Sequence, residues 1–387
     1  MLNKIKGHYI CYVFSYQFFY FSVALFASIM TLYLTGIGKD AGQVAFIISA
    51  GGVMTLGFQP VIGYLADKTQ SPKKVAMLSM VAALITGSVY VYLRNDMLLF
   101  IGYGTTVAIV MSASLLMERI ALKSRHDYGK IRIWGSIGWA TGSQAAAIIY
   151  GSMPAAALFI IFEICVAITI LGYFTLDDVK VEENTEAQNK VEARLVIKSL
   201  AKNKPYLMFL LLCFIFQGIS GTGTTYFPLL ITDSGGTVAM VGTAILLATL
   251  FEVPIILLSK QIFSKIKLKA IAVLSFLVMA LRYGWYATLP SPSAVVYVFF
   301  FQGFSIILFI MMTNYVLIRI VEEEYFSTAL SLSAVVGRGI GVMVFQNILG
   351  QLTNNRSIGF LYASLAILAL VGMVIAIFAP LEKQASR

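Results

Sequence analysis

Long apolar stretches follow one another along almost the whole chain, and short polar segments separate them. A stretch of about 18 or more apolar residues is a candidate transmembrane helix, because about 20 helical residues cross the hydrocarbon core of a bilayer. Twelve such stretches are predicted, at residues 8–36, 42–66, 73–93, 98–119, 129–151, 155–175, 205–232, 238–261, 267–288, 293–319, 327–353 and 356–380. The pattern therefore predicts an all-α, polytopic membrane protein.

One polar segment, residues 176–204, is longer and more highly charged than the others. It divides the predicted helices into two sets of six. We therefore expect an N-terminal six-helix bundle at residues 1–175, a cytoplasmic central loop at 176–204 and a C-terminal six-helix bundle at 205–387.

The composition agrees with a membrane protein, since 59% of the residues are hydrophobic and 12% are charged, against about 25% charged in soluble domains. The net charge of +10 could suggest nucleic acid, but the lysines and arginines gather in alternate loops. By the positive-inside rule, this distribution predicts a cell-membrane protein with both termini cytoplasmic and no nucleic-acid partner. The three cysteines lie in apolar stretches and the two histidines lack metal-ligand spacing, so no metal or cofactor is indicated.

A short motif, GYLADKTQSPKK, closes the second apolar stretch. Gly63, Asp67 and Lys68 match the pattern of major facilitator proteins, in which a glycine and an acidic–basic pair precede a basic turn. We expect Gly63 to permit close helix approach and Asp67 to pair with basic residues across the bundle. With twelve helices and the central loop, this conformational motif predicts the major facilitator fold, whose two halves are related by an axis along the membrane normal.

Glycines cluster in the fifth and eleventh stretches. They are Gly135, Gly138 and Gly142, and Gly337, Gly339 and Gly341. Tight helix packing explains such a pattern, and so does a smooth rocking contact between the two halves.

Four segments resemble a particular subgroup of the superfamily. They are FQPVIGYLADK at 58–68, DYGKIRIWGSIGW at 127–139, LFEVPIILLSK at 250–260 and LVMALRYGW at 277–285. The chain resembles the oligosaccharide:proton symporters typified by lactose permease, and also the phenylpropionate-type permeases. The resemblance covers essentially the whole chain and implies a monomeric transporter in the lipid bilayer, not an enzyme.

The resemblance implies roles for four residues. Arg132 matches the substrate-binding arginine of the fifth helix, and Trp139 matches the tryptophan that stacks on the sugar ring. Glu252 matches the eighth-helix glutamate of substrate binding and proton coupling. Arg282 matches the ninth-helix arginine that assists deprotonation of the coupling carboxylate.

The chain departs from the family pattern at several positions. Ser114 stands where the family has the glutamate that partners the fifth-helix arginine, and Glu118 lies one helical turn further on the same face. The stretch that holds a histidine and a glutamate in the family contains Gln302 instead. Arg338 has no acidic partner nearby in sequence, and either Glu252 or an anionic substrate could meet it.

The residues themselves support these roles. An arginine in a membrane segment costs about 2.5 to 3.5 kcal/mol on insertion scales and therefore normally faces a cavity or a partner. Trp139 adds a flat apolar face with one N–H donor. A carboxylate such as Glu252 in an apolar run favours its protonated form, whereas an approaching Arg282 favours the ionised form. Movement of one against the other would couple a proton to a conformational cycle.

The remaining candidate contacts are weaker. Tyr20 belongs to the first helix, which is rich in aromatic residues. Such residues could line a sugar-binding cavity, or they could form a belt at the membrane interface. Asn314 and Gln302 are intramembrane amides that need hydrogen-bond partners in a cavity or a neighbouring helix. Substrate-binding candidates are thus Arg132, Trp139, Glu118, Ser114, Tyr20, Gln302 and Asn314, and proton-coupling candidates are Glu252, Arg282 and Arg338.

The sequence predicts a secondary active transporter that imports a small polar solute, a sugar or oligosaccharide, together with protons by alternating access. A proton-coupled aromatic-acid or nucleoside permease is the alternative. Arg338, as a second uncompensated cation, would favour a carboxylated or phosphorylated substrate over a neutral sugar. An efflux antiporter or a lipid translocase is a further alternative with the same helix count.

Overall fold

The structure is a computed structural model that describes residues 6–177, 193–322, 325–354 and 356–381. Within these ranges, the side chains of residues 67, 193–197, 253–264 and 327 are not described.

The described residues are almost entirely helical. The helices are α1 Tyr9–Ala27, α2 Met30–Gly36, α3 Ala41–Lys68, α4 Pro72–Tyr90, α5 Asp96–Leu122, α6 Tyr128–Ser152, α7 Ala155–Thr175, α8 Ala193–Lys202, α9 Lys204–Asp233, α10 Val238–Lys265, α11 Leu268–Tyr286, α12 Pro292–Val298, α13 Phe300–Ile320, α14 Phe326–Ala334, a π-helical turn Val335–Gly341, α15 Val342–Thr353 and α16 Ile358–Phe378.

Ten helical spans among the described residues are long and apolar enough to cross a membrane. Two further long helices coincide with the remaining predicted stretches: α6, which carries Lys130 and Arg132 near its start, and α10, whose apolar part is Val238–Glu252. Each predicted stretch therefore has a helical counterpart, and the predicted all-α, multi-pass membrane architecture is confirmed.

Side-chain caps fix where two of these helices begin. The amide oxygen of Asn95 accepts hydrogen bonds from the backbone N–H of Met97 and of the next residue, at the start of α5. The carboxylate of Asp127 accepts from the N–H of Lys130 at 3.0 Å. Such caps satisfy backbone donors that have no partner within the helix. Arg132 therefore lies in the second turn of α6.

The chain folds into two compact units. Unit 1 contains Met1–Asn184 and Thr237–Leu246, and unit 2 contains Thr185–Gly236 and Leu247–Arg387. The first turns of α10 thus belong to unit 1 and the remainder of that helix to unit 2.

The two units repeat one packing pattern. In unit 1, α1 packs against α6 and α7, and α4 packs against α5 and α7. In unit 2, α9 packs against the π-helical turn, α15 and α16, and α11 packs against α13 and α16. Helix α9 therefore corresponds to α1, and the π-helical turn with α15 corresponds to α6. An internal repeat of this kind is typical of major facilitator proteins.

Glycines allow α1 to pack closely against α6 in unit 1, and α9 to pack closely against the π-helical turn in unit 2. A Cβ atom on Gly142 of α6 would lie 2.6 Å from the carbonyl oxygen of Phe21 on α1. A Cβ atom on Gly341 would likewise lie 2.5 Å from the carbonyl oxygen of Phe214 on α9. The glycines of both stretches thus pack helix backbones together within one unit, which confirms the packing interpretation at these positions.

Alanine at position 142 is expected to destabilise the protein, because its methyl group would collide with the α1 backbone. Overpacking of this kind costs about 1–3 kcal/mol, so the apparent melting temperature of the purified Gly142→Ala variant should fall. Gly57→Ala is the matched control, since a Cβ atom there meets none of the described residues within 4 Å. Equal melting temperatures for the two variants would contradict this account of the helix contact.

Candidate functional site

Three side chains from three helices meet in unit 1. The Nε atom of Arg132 on α6 lies 3.6 Å from Oε1 of Glu118 on α5. The hydroxyl of Tyr20 on α1 donates to the same oxygen at 3.4 Å. The guanidinium carbon of Arg132 also lies 5.2 Å from the centre of the Tyr20 ring, within cation–π range. The structure thus brings together three of the predicted substrate-binding residues in one cluster.

A glycine makes room for this cluster. Gly135 follows Arg132 by one helical turn, and a Cβ atom there would lie 2.8 Å from the Tyr20 ring. The arginine and glutamate side chains remain 39% and 32% exposed. Because the charges compensate each other but stay accessible, the cluster can offer both donors and acceptors to a bound solute.

Ser114 does not take part in the ion pair. Its hydroxyl donates to the carbonyl oxygen of Met111 in its own helix at 2.7 Å. Glu118, one turn further along α5, therefore supplies the carboxylate for Arg132 in this chain.

Trp139 is half-buried and packs against the hydrophobic core of unit 1. It follows Arg132 by seven residues, about two helical turns, so both lie on a similar face of α6. A second polar contact lies nearby, where the amide nitrogen of Gln17 donates to the Thr141 hydroxyl at 3.1 Å. The Oε1 atom of Gln17 is buried without a hydrogen-bond partner among the described residues. The stacking role of Trp139 stays a prediction.

Unit 2 contains three polar side chains that are linked by hydrogen bonds. Nη1 of Arg282 donates to Oε1 of Gln302 at 2.6 Å, and Nε2 of Gln302 donates to the Thr224 hydroxyl at 2.7 Å. Arg282 is 3% exposed, and its Nε and Nη2 atoms have no hydrogen-bond partner among the described residues. The rings of Tyr283 and Phe299 lie 4.6 and 6.0 Å from its guanidinium carbon.

Gln302, which was expected to contact substrate, is a buried hydrogen-bond partner in this structure. It is 7% exposed, and both ends of its amide are engaged by Arg282 and Thr224. Its contact with substrate stays a prediction. Thr224 gave no signal in the sequence, because many intramembrane threonines satisfy their hydroxyl within their own helix. The Thr224 hydroxyl does so in α9, where it donates to the carbonyl oxygen of Ser220.

Glu252, on α10, packs against the helix that carries Gln302. A Cβ atom on Gly303 would lie 3.1 Å from Cγ of Glu252 and 2.5 Å from the carbonyl oxygen of Ala248. The glycine after Gln302 therefore lets the Glu252 side chain pack directly against α13. Of the proton-coupling candidates, Arg282 thus contacts Gln302, and Glu252 packs against Gly303, the next residue of α13.

Arg338, the third proton-coupling candidate, lies at a different place from Glu252 and Arg282. It lines a cavity of about 280 Å³ in unit 2, together with the predicted substrate contact Asn314 and with Gln217. Arg338 is exposed to this space and makes no ion pair with the described residues. The role of Arg338 in proton coupling stays a prediction.

The conformational motif is only partly visible. Lys68 is exposed, with its Nζ atom 5.9 Å from the centre of the Tyr64 ring. Among the described residues, a Cβ atom on Gly63 would meet nothing within 4 Å, so these residues show no close helix approach there. The side chain of Asp67 lies outside the described residues.

Sequence reasoning missed one polar contact in unit 1. The Thr243 hydroxyl donates to Oε1 of Gln144 at 3.1 Å, and the Gln144 amide nitrogen donates to the carbonyl oxygen of Ala239 at 3.4 Å. A Cβ atom on Gly242 would lie 2.5 Å from Cα of Gln144. The available signal was Gln144 itself, because an amide in an apolar helix must find a hydrogen-bond partner.

Comparison with known proteins agrees with this geometry. The sequence is similar to the maltose permease of Geobacillus stearothermophilus, with 27% identity over 93% of this chain and 91% of that protein. It is similar to the uncharacterized transporter YwbF of Bacillus subtilis, with 26% identity over 97% and 94%. It is also similar to the probable 3-phenylpropionic acid transporter of Escherichia coli, with 21% identity over 87% and 89%.

Solved structures share the fold. The nucleoside transporter NupG superposes with a TM-score of 0.79 at 15% identity, over 95% of this chain and 96% of that one. A D-xylose-proton symporter superposes with a TM-score of 0.73 at 14% identity, over 97% of both chains. The model of the MFS_1-like family matches residues 9–364. The chain therefore belongs to the MFS_1-like family, the membrane transporters of the major facilitator superfamily.

Proposed function

We propose that this transporter imports a sugar or oligosaccharide together with protons, by alternating access of its two units. Transport itself follows from the family. The substrate class and the coupling ion are the proposal, and the cluster of Arg132, Glu118 and Tyr20 is the observation that carries it.

The cluster suits hydroxyl groups. Its ion pair has no net charge, yet it presents guanidinium donors and carboxylate acceptors that are about one third exposed. A sugar hydroxyl is both a donor and an acceptor, so it can bridge the two groups. A carboxylate substrate would instead have to compete with Glu118 for the guanidinium. Trp139 supplies an aromatic face of the kind that covers the apolar side of a sugar ring.

The relatives support the same substrate class. A maltose permease aligns over nearly the full length of this chain. Melibiose, sucrose, lactose and raffinose permeases align over shorter parts.

Proton coupling is assigned to Glu252. The family's acid and imidazole of the tenth membrane helix are replaced here by Gln302, which cannot exchange a proton at physiological pH. Gln302 holds Arg282 at 2.6 Å, and Glu252 packs beside it at Gly303. Rearrangement of Arg282 between the amide and the carboxylate would change the protonation of Glu252. Membrane potential supplies ~2.3 kcal/mol per charge and 100 mV for such a cycle.

An aromatic-acid permease is the second candidate. Arg338, which has no ion-pair partner among the described residues, and the similarity to a probable 3-phenylpropionic acid transporter favour it. No feature of the described residues specifically favours a nucleoside permease, an efflux antiporter or a lipid translocase.

Loss of either charge in the unit 1 cluster should weaken sugar binding. We expect Arg132→Gln and Glu118→Gln to raise the KM for the transported sugar roughly tenfold or more, since charge-assisted hydrogen bonds are about twice as strong as neutral ones. Uptake of radiolabelled sugars by proteoliposomes measures this. Arg319→Gln and Glu322→Gln, at exposed positions, serve as controls. A change in KM no larger than in the controls would remove the cluster from the binding site.

Loss of the Glu252 carboxyl should uncouple transport from protons. De-energised cells are expected to alkalinise the medium when the transported sugar is added. The Glu252→Gln variant should lose this signal but retain exchange of labelled for unlabelled sugar, because exchange needs no net proton movement. Persistent alkalinisation in Glu252→Gln would show that another group carries the proton.

The hydrogen bond between Gln302 and Arg282 should contribute to stability. We expect Gln302→Leu to lower the free energy of unfolding by about 1–3 kcal/mol, because a buried guanidinium donor loses its partner. Gln302→Glu should not show this loss, since it provides a charged acceptor. Thermal melting of the purified variants beside Gln351→Leu, at an exposed position, tests this. A melting temperature for Gln302→Leu equal to that of Gln351→Leu would contradict the proposed pairing.

A further inference from the structure

We propose that the cavity at Arg338 is a carboxylate subsite, so that the transported solutes include sugar acids. This inference rests on the proposed function and adds the chemical class of one part of the substrate.

The cavity lies within unit 2, among α9, α13, α14 and the π-helical turn. Its volume of about 280 Å³ approaches the lower end of the roughly 300–1,000 Å³ range of small-molecule sites. A water molecule occupies about 30 Å³ of liquid, so the cavity can hold a group much larger than a single water. Its size fits one carboxylate with part of the ring or chain that carries it.

Three polar side chains in the cavity have unused donors. Arg338, Gln217 and Asn314 make no side-chain hydrogen bonds within the described part of the chain, whereas two hydroxyls nearby are already engaged. Thr313 donates to a carbonyl of its own helix at 3.0 Å, and Ser333 does so at 2.8 Å. A guanidinium and two amides without partners form a set of donors that an anionic group with several acceptor oxygens would satisfy.

The backbone holds Arg338 in this position. It lies in the π-helical turn Val335–Gly341, and π-helical turns are frequent at functional sites. Gly337 and Gly341 press against α9 on either side, where Cβ atoms would lie 2.9 Å from the carbonyl oxygen of Cys213 and 2.5 Å from that of Phe214. These contacts fix the helix against α9 and place the guanidinium beside Cys213 and Gln217 of the cavity wall.

The charge of the cavity selects the ligand. Among the described residues, its lining includes one cation, Arg338, and no carboxylate. A neutral sugar would leave that cation uncompensated in a membrane-spanning unit. A phosphate monoester carries about −1.5 to −2 charges at pH 7, more than one guanidinium balances. A carboxylate carries a single charge and accepts two parallel hydrogen bonds from a guanidinium, so it fits best.

Matched pairs of solutes test the proposal on the full-length protein. Each pair joins a neutral sugar to the acid with the same frame: glucose with glucuronate, galactose with galacturonate, and maltose with maltobionate. Dissociation constants are measured by calorimetry on purified protein in nanodiscs, and glucose 6-phosphate is included. In the wild type, we expect at least one acid to bind tenfold or more tightly than its neutral partner.

Variants at position 338 then test whether Arg338 is responsible for the preference for acids. Arg338→Gln should weaken acid binding roughly ten- to hundredfold, because hydrogen bonds to a charged group are the stronger ones, and should leave the neutral sugar within about threefold. Arg338→Lys should keep part of the preference, since it retains the charge but not the planar fork. Arg356→Gln, on the loop before α16 with its guanidinium carbon 4.3 Å from the Phe360 ring centre, is the control arginine.

Three outcomes overturn the proposal: no preference for an acid in the wild type, an equal loss of both members of a pair in Arg338→Gln, or tighter binding of the phosphate than of every acid. Failure of the proposed function looks different, because then neither neutral sugars nor sugar acids bind or are transported at all. Binding of neutral sugars without an acid preference removes only the carboxylate subsite.

Discussion

Charge that lies in hydrocarbon must be compensated, and this constraint organises the polar part of the structure. Three of the arginines within the long helices, Arg132, Arg282 and Arg338, meet this constraint in different ways. Arg132 is paired with Glu118 at 3.6 Å and remains accessible. Arg282 is almost fully buried against an amide and aromatic rings. Arg338 opens into a polar cavity. A compensated, a buried and an accessible cation have different chemical uses, and the uses proposed for them are hydroxyl recognition, conformational coupling and anion recognition.

Small residues place these charges. Gly135 makes room for the ring of Tyr20 beside Arg132, and Gly303 lets Glu252 pack directly against α13. Gly341 brings the turn that carries Arg338 onto α9. In lipid, helices gain little from hydrophobic association, so close backbone contact through glycines is a main source of helix packing. The same contacts that stabilise each unit therefore also fix the depth and direction of its polar side chains.

The repeat between the units gives this arrangement its context. The contact of α1 with α6 in unit 1 recurs as the contact of α9 with the π-helical turn and α15 in unit 2. In both units the glycine-rich partner carries an arginine. Arg132 is paired with a carboxylate, whereas Arg338 has no carboxylate partner among the described residues. Duplicated scaffolds allow this kind of divergence, because each half can change its side chains while the backbone packing is kept.

The sequence by itself determined the membrane-spanning helices and the family. These properties are local: the length of an apolar run sets a membrane span, and capping residues such as Asn95 and Asp127 set where it begins. Sequence also singled out Arg132, Glu118, Tyr20, Glu252 and Arg282, because polar residues stand out in apolar helices. Only the tertiary structure decided their partners. It chose Glu118 over Ser114 for Arg132, joined Gln302 to Arg282, and put Arg338 with Asn314 in one cavity. Helices that are apolar on all sides carry almost no periodic signal of which face turns inward. Their rotation and depth, and hence the side chains that meet, are fixed by packing between segments distant in sequence.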